Sequence, residues 1–162
     1  RVQVGSGSCE AREAGFLDEL AAKFPAIQVI SSNQHGGATR ETALAASQNL
    51  LNRFGAKVDG IFTPNESTMA GMLLALNNVG LAQGKVKLVG FANSETYAAA
   101  IRRGDLQGLV LQDPVKMGYL GVKSIVDVLE GRKVPALVDT GVKLATAENL
   151  AEPDIAALLK AE

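Results

Sequence analysis

The polar residues of this chain gather in short clusters, each directly after an apolar run. They are residues 5–12, Asn33-Gln34-His35-Gly36-Gly37, Thr63-Pro64-Asn65-Glu66, Ala92-Asn93-Ser94-Glu95 and Gln112-Asp113. Amides that donate and accept, hydroxyls, and a guanidinium with a fixed fork of donors suit a small hydroxyl-rich molecule. They serve catalysis poorly. His35 is the only histidine, and no Gly-x-Ser-x-Gly elbow supplies it with a nucleophile. One His and one Cys make no metal site. The clusters predict a binding protein rather than an enzyme, with no cofactor and no metal.

Each candidate has a plainer reading beside the functional one. Arg12 either pairs in solvent with Glu10 or Glu13, or points into a cleft at the strand ends. Asn65, like Ser67, either caps the helix that follows or meets the ligand. Gln112 ends an apolar run just before a capped helix, which local structure explains less readily, so it is read as a ligand contact. His35 is either a contact from a Gly-rich loop or solvent-exposed. Cys9 falls at a helix start, where thiol pKa values drop, but without a base it reads as structural. Gly5-Ser6-Gly7-Ser8 lacks the third glycine of a dinucleotide loop and the Gly-Lys-Ser/Thr of a P-loop. It reads as a strand-to-helix turn.

Alternating strands and helices must position these groups. Strands are predicted at residues 2–4, 27–30, 59–63, 86–91 and 109–111, with a last extended stretch at 137–144. Ser8 is the expected cap of a first helix, in which Leu17, Leu20, Ala21 and Phe24 recur at helical spacing. That helix stops before Pro25. A Gly-rich loop, 31–39, leads to a helix over about 40–54, with Leu44, Leu50 and Leu51 facing inward. Met69, Met72, Leu73 and Leu76 mark another helix, and Tyr97, Ala100 and Ile101 the next. Asp113-Pro114 pairs an N-cap with a first-turn proline, opening a helix that Gly131 stops near residue 130. A short helix follows Pro153. This pattern predicts an α/β fold, a flavodoxin-like parallel sheet flanked by helices. In such sheets ligands bind at the carboxyl ends of the strands, where the polar clusters fall.

Composition removes other classes. With 47% hydrophobic and 20% charged residues, the chain is an ordinary globular one. Sixteen Lys plus Arg against 17 Asp plus Glu leave no basic footprint for nucleic acid. No apolar run approaches the ~18–20 residues of a membrane span. Cys9 alone excludes an internal disulfide. Position 1 is not Met and no basic-then-apolar leader follows, so the expectation is a fragment of something longer, with a removed leader as the alternative.

Five stretches carry a family resemblance: Gly5-Ser6-Gly7-Ser8 through Phe16; Ala38-Thr39-Arg40 through Leu51; Ile61-Phe62-Thr63-Pro64-Asn65-Glu66; Leu88-Val89-Gly90-Phe91; and Gly108-Leu109-Val110-Leu111-Gln112-Asp113-Pro114. In this order the chain resembles the C-terminal part of a periplasmic sugar-binding protein of the ribose-binding type, the solute receptor of an ABC importer. The resemblance implies one lobe of a two-lobed fold that closes on its ligand, with Arg12, Asn65 and Gln112 at ligand-contacting positions. It also implies a periplasmic or extracytoplasmic location, a carbohydrate-like ligand, and the membrane permease of an importer as partner.

Two positions depart from the family pattern. The carboxylate expected after Val89-Gly90-Phe91 is Ala92, and the stacking aromatic expected before Arg40 is Ala38. A charge-assisted hydrogen bond contributes about 1.5–3 kcal/mol, roughly tenfold to a hundredfold in affinity. Either the ligand is not ribose or Asn93 or His35 replaces the lost contact; a negatively charged ligand would also suit Arg12. The alternative function is the effector-binding domain of a lactose-repressor-type regulator, which shares the fold. The stretches 100–106, 112–114 and 117–122 resemble the transport receptors instead. An enzyme comes third.

The resemblance assigns 1–112 to the ligand-binding C-terminal lobe, 113–141 to a helix and crossover of the other, absent lobe, and 142–162 to the return and tail. The helix after Asp113 supports this independently. Lys116, Lys123, Asp127 and Glu130 make one narrow polar stripe, and apolar residues fill the rest. Such a helix is buried on more than one side. The chain alone is therefore expected to dimerise, to swap that helix between copies, or to stay bound to its missing N-terminal lobe.

Overall fold

The computed structural model describes residues 1–160. The elements run α1 (Gly7–Lys23), α2 (Arg40–Phe54), a 3-10 turn (Gly55–Lys57), β1 (Gly60–Thr63), α3 (Glu66–Asn78), β2 (Lys87–Phe91), α4 (Glu95–Arg102), β3 (Gly108–Leu111), α5 (Pro114–Leu129), β4 (Lys143–Ala145) and α6 (Pro153–Leu159). The strands lie in the order β1-β2-β3-β4. β1, β2 and β3 are parallel, and β4 closes the far side antiparallel to β3. The α/β class and the parallel sheet predicted from the alternating pattern are present. Among the described residues no helix is long and apolar enough to cross a membrane.

Caps and apolar spacing explain the well-formed elements. Thr39 accepts from the Thr42 amide in a capping box, and α2 starts at Arg40. Asn65, Ser94 and Asp113 each accept from a first-turn amide of α3, α4 and α5. Gly131, at φ 76°, takes the left-handed conformation that ends α5. The core forms where α3, α4 and α6 cover the sheet: Met69, Leu76, Leu88, Leu109, Leu111 and Ile155 are buried in one cluster. Close approach requires glycine twice. A Cβ on Gly71 would stand 2.6 Å from the Leu44 amide nitrogen, and one on Gly90 2.6 Å from the Met69 sulfur.

Three predictions about extended structure need correction. Residues 2–4 form no strand, and neither do residues 27–30. The backbone near the N-terminus has other partners: the Arg1 and Val2 carbonyls accept from Gly36 and Gly37 at 2.9 and 2.8 Å. The Val2 amide donates to the Glu13 carboxylate at 3.1 Å. β1 is left as the sheet edge, and a cavity of about 810 Å³ opens among Phe16, Leu20, Val29, Ile30, Leu50 and Phe62. Ile27 and Val29 stay exposed. The extended stretch predicted at 137–144 contributes only Lys143–Ala145 to the sheet. The first helix begins one residue earlier than the expected cap Ser8. Ser6 is its cap position and makes no side-chain cap bond.

α5 is apolar, yet none of its residues is buried. Val115, Tyr119, Val122, Ile125 and Leu129 are all exposed, Leu129 to 81%. Its polar stripe is internally tied, with Asp127 accepting from Lys123 and Arg132, each at 2.5 Å. Those two cations hold the Asp127 carboxyl below the usual carboxylate range.

Candidate functional site

The strand ends bring Arg12, Gln112 and Phe91 together. Arg12 lies in the second turn of α1 and reaches across to the sheet. One terminal nitrogen donates to the Pro64 carbonyl at 2.8 Å, and the other to Gln112 Oε1 at 2.7 Å. Its guanidinium carbon lies 4.3 Å from the centroid of the Phe91 ring, a cation–π arrangement. Of the two readings of Arg12, the solvent pair with Glu10 or Glu13 is absent. Glu13 is buried and holds Arg1 and the Val2 amide, while Glu10 accepts from the Gly5 amide.

Gln112 is set by its neighbour Asn93. The Asn93 amide accepts from the Gln112 N–H at 3.2 Å and donates to the Gln112 carbonyl at 2.6 Å and the Leu158 carbonyl at 3.0 Å. Both N–H groups of Asn93 are thereby spent on backbone, and Ser94 caps the helix after it. Asn93 acts here as a positioning residue, fixing the end of β3 against α6.

Asn65 caps α3. Its Oδ1 accepts from the Thr68 amide at 3.0 Å and the Thr68 hydroxyl at 2.6 Å, and its Nδ2 donates to Ser67 at 3.0 Å. One N–H remains for another partner, so capping and ligand contact are compatible. His35 is exposed and lines the cavity at β1, and no bond places it against Arg12. Ala38 is exposed and Ala92 buried. Cys9 is a free, buried thiol. Among the described residues no group of three His, Cys, Asp or Glu could hold a metal ion.

The sequence reading missed two features. The first is a run of aromatic rings behind Arg12. Phe16 stacks on Phe62 at 4.4 Å, and Phe62 meets Phe91 edge-on at 6.1 Å. A phenylalanine ending β2 beside the Arg12 cluster was the available signal. The second is a network around Glu66, which accepts from Arg40 at 2.8 Å and from the Tyr97 hydroxyl at 3.2 Å. Burial, and then the nearby Glu66 charge, push the Tyr97 phenol up to about 12.

Comparison with known proteins gives a uniform result. Residues 2–133 match the periplasmic binding protein domain. The ribose import binding protein of Haemophilus influenzae is 31% identical over 139 residues, covering 86% of this chain and 46% of that protein. A xylitol-binding protein of Mycolicibacterium smegmatis is 30% identical over 66% of this chain and 30% of its own length. Among solved structures, an ABC transporter solute-binding protein from Agrobacterium vitis with bound D-fucose superposes at TM-score 0.87 with 30% identity. It covers 98% of this chain and 53% of the other. A carbohydrate transporter solute-binding protein from Agrobacterium radiobacter in complex with D-arabinose gives 0.86 and 34%, with the same coverage. The chain spans about half the length of the curated relatives it matches most fully.

Proposed function

This chain belongs to the periplasmic binding protein domain family, and we propose that it forms one wall of a sugar-binding cleft in the solute receptor of an ABC importer. The observation that carries this reading is the Arg12 fork. Two of its donors are fixed on Pro64 and Gln112, its face rests on Phe91, and its remaining N–H groups are free for ligand oxygens. Gln112 Nε2 and the spare Asn65 N–H add neutral donors beside it. Such groups, held by the fold before ligand arrives, bind hydroxyls with little ordering cost. His35 stands as a further candidate contact from the loop.

In the whole receptor a second lobe closes over the ligand, and the closed state is what a membrane permease recognises. Residues 113–141 belong to that lobe in this reading, which supplies the cover that α5 lacks here. The protein then works in the periplasm or otherwise outside the cytoplasmic membrane, as its relatives' family name implies. The similarity to an import binding protein and to an ABC transporter solute-binding protein favours this over a transcription regulator's effector domain.

Ligand-observed saturation-transfer NMR on the 162-residue chain tests the site. D-Ribose, D-allose, D-fucose, D-arabinose and xylitol at millimolar concentration are the probes. One wall alone is expected to hold its ligand at about 1 mM, near −4 kcal/mol. Arg12→Ala and Gln112→Ala should remove the transfer. No transfer from any probe, or transfer indifferent to both substitutions, overturns the reading.

A further inference from the structure

We infer that the ligand held at Arg12 carries a carboxylate: a polyhydroxylated sugar acid rather than a neutral sugar. This inference rests on the proposed sugar-binding reading and specifies its substrate class.

Arg12 is held by neutral partners only, two oxygens and a ring. A guanidinium has five N–H donors, and two are engaged. The carboxylates nearest in sequence and at the strand ends are all committed elsewhere. Glu13 holds Arg1, Glu10 accepts from the Gly5 amide, and Glu66 pairs with Arg40 and Tyr97. Asp113 caps α5 by accepting from the Lys116 amide at 2.8 Å. Among the described residues none forms an ion pair with Arg12. The side chain directly after Phe91 is the buried methyl group of Ala92, which carries no charge.

α3, α4 and α5 begin immediately beyond the ends of β1, β2 and β3, and Glu66, Glu95 and Asp113 stand at those starts, so carboxylates already match the positive dipole ends while Arg12 is left without an ion pair. A neutral sugar would leave this fixed cation without a countercharge under the ligand. A carboxylate supplies one, and its two oxygens match the free part of the Arg12 fork in bidentate geometry. Gln112 and Asn65 remain for the hydroxyls.

The test compares D-gluconate with D-sorbitol, which differ only in a terminal carboxylate against a hydroxymethyl group, and D-galacturonate with D-galactose. Affinities come from chemical-shift titration of the 162-residue chain at low ionic strength. The acid of each pair is expected to bind about tenfold tighter or more. That preference should shrink as salt is raised, and Arg12→Gln should abolish it while leaving the neutral probes weakened but measurable. If Arg12→Gln does not fold, the salt titration of the unaltered chain decides. Equal or tighter binding of the neutral probes overturns the inference and leaves the sugar-binding reading standing. A preference indifferent to salt or surviving Arg12→Gln also overturns it. Binding of none of the four probes, nor of the pentoses, overturns both.

Discussion

Replacing Asn93 with Asp changes one atom type and should unfasten the end of β3. Asn93 holds that end with three bonds: one accepted from the Gln112 N–H at 3.2 Å, and two donated, at 2.6 Å to the Gln112 carbonyl and at 3.0 Å to the Leu158 carbonyl. Asn93→Asp keeps the acceptor and the shape but turns the donating nitrogen into a charged oxygen facing two carbonyl oxygens. Each lost bond contributes about 1 kcal/mol, and a carbonyl left unpaired away from water costs more. Asn93 is half-buried, so water repays part of that. The expected loss is about 2–3 kcal/mol, a large share of the roughly 5–15 kcal/mol that holds a domain together. Urea unfolding at pH 7 should show the midpoint falling by about 1 M with an unchanged slope. The sign with pH is also fixed. Two facing carbonyls raise the pKa of the introduced carboxyl above its unfolded value, so the deficit is full at neutral pH, narrows as pH falls through that raised value, and is smallest below about pH 4. Stability within about 0.5 kcal/mol of the parent chain, or a deficit that widens in acid, would refute the clamp.

Gly71→Ala should be the most damaging of the glycine substitutions, because its Cβ meets the backbone of α2 at 2.6–2.7 Å. Gly90→Ala meets the flexible Met69 side chain and should cost less, at the lower part of the roughly 1–3 kcal/mol range for overpacking; thermal unfolding ranks the two. Tyr97 is one of two tyrosines, and spectrophotometric titration should show one phenol ionising near 12. Because its folded value lies above the ordinary one of about 10, its contribution is full below pH 10 and is lost as pH rises from there toward 12. Tyr97→Phe should remove that slope in stability. The apolar face of α5 predicts concentration-dependent association of the 162-residue chain. Val122→Glu or Ile125→Lys should shift sedimentation toward the monomer without lowering the unfolding midpoint, and a chain already monomeric at high concentration counts against the idea.

What the sequence disclosed follows from how locally each feature is encoded. Asp113-Pro114 marks the start of α5 because a cap and the residue it serves are three positions apart. Asn65 belongs to the same class. Met69, Met72 and Leu76 announce α3 by spacing alone and then lie in the core. Arg12 and Gln112 were legible as candidates, but their bond joins positions a hundred residues apart, and nothing local announces such a contact. The Phe91 face beneath Arg12 was hidden for a related reason: an apolar residue ending a strand reads as core until the cation above it is placed. Asn93 is the converse case. Its type suits a ligand, but only the fold reveals that its donors are used by Gln112 and Leu158.

Residues 2–4 and 27–30 show where the apolar-run signal stops being sufficient. A helix satisfies its own backbone, whereas a strand exists only as half of a pair. Ile27, Val29 and Ile30 have β-branched side chains suited to a sheet, yet exposed at 37% or more they lie along the cavity at β1 rather than in a ladder. Val2 is buried, but its carbonyl and that of Arg1 are taken by Gly36 and Gly37. β1 therefore ends the sheet with one edge unpaired, and an unpaired edge beside an apolar cavity is a template for added strand. The strand-end chemistry survives this because it depends on the other side of β1. Pro64, Asn65, Phe91 and Gln112 are aligned by the ladders of β1 with β2 and β2 with β3. Arg12 alone reaches them from α1, so its geometry should respond to whatever pairs with that edge, while Gln112 and Asn93 should not. Amide hydrogen exchange of the 162-residue chain makes the distinction measurable: slow exchange in β2 and β3, fast exchange at the outer edge of β1 and across 27–30.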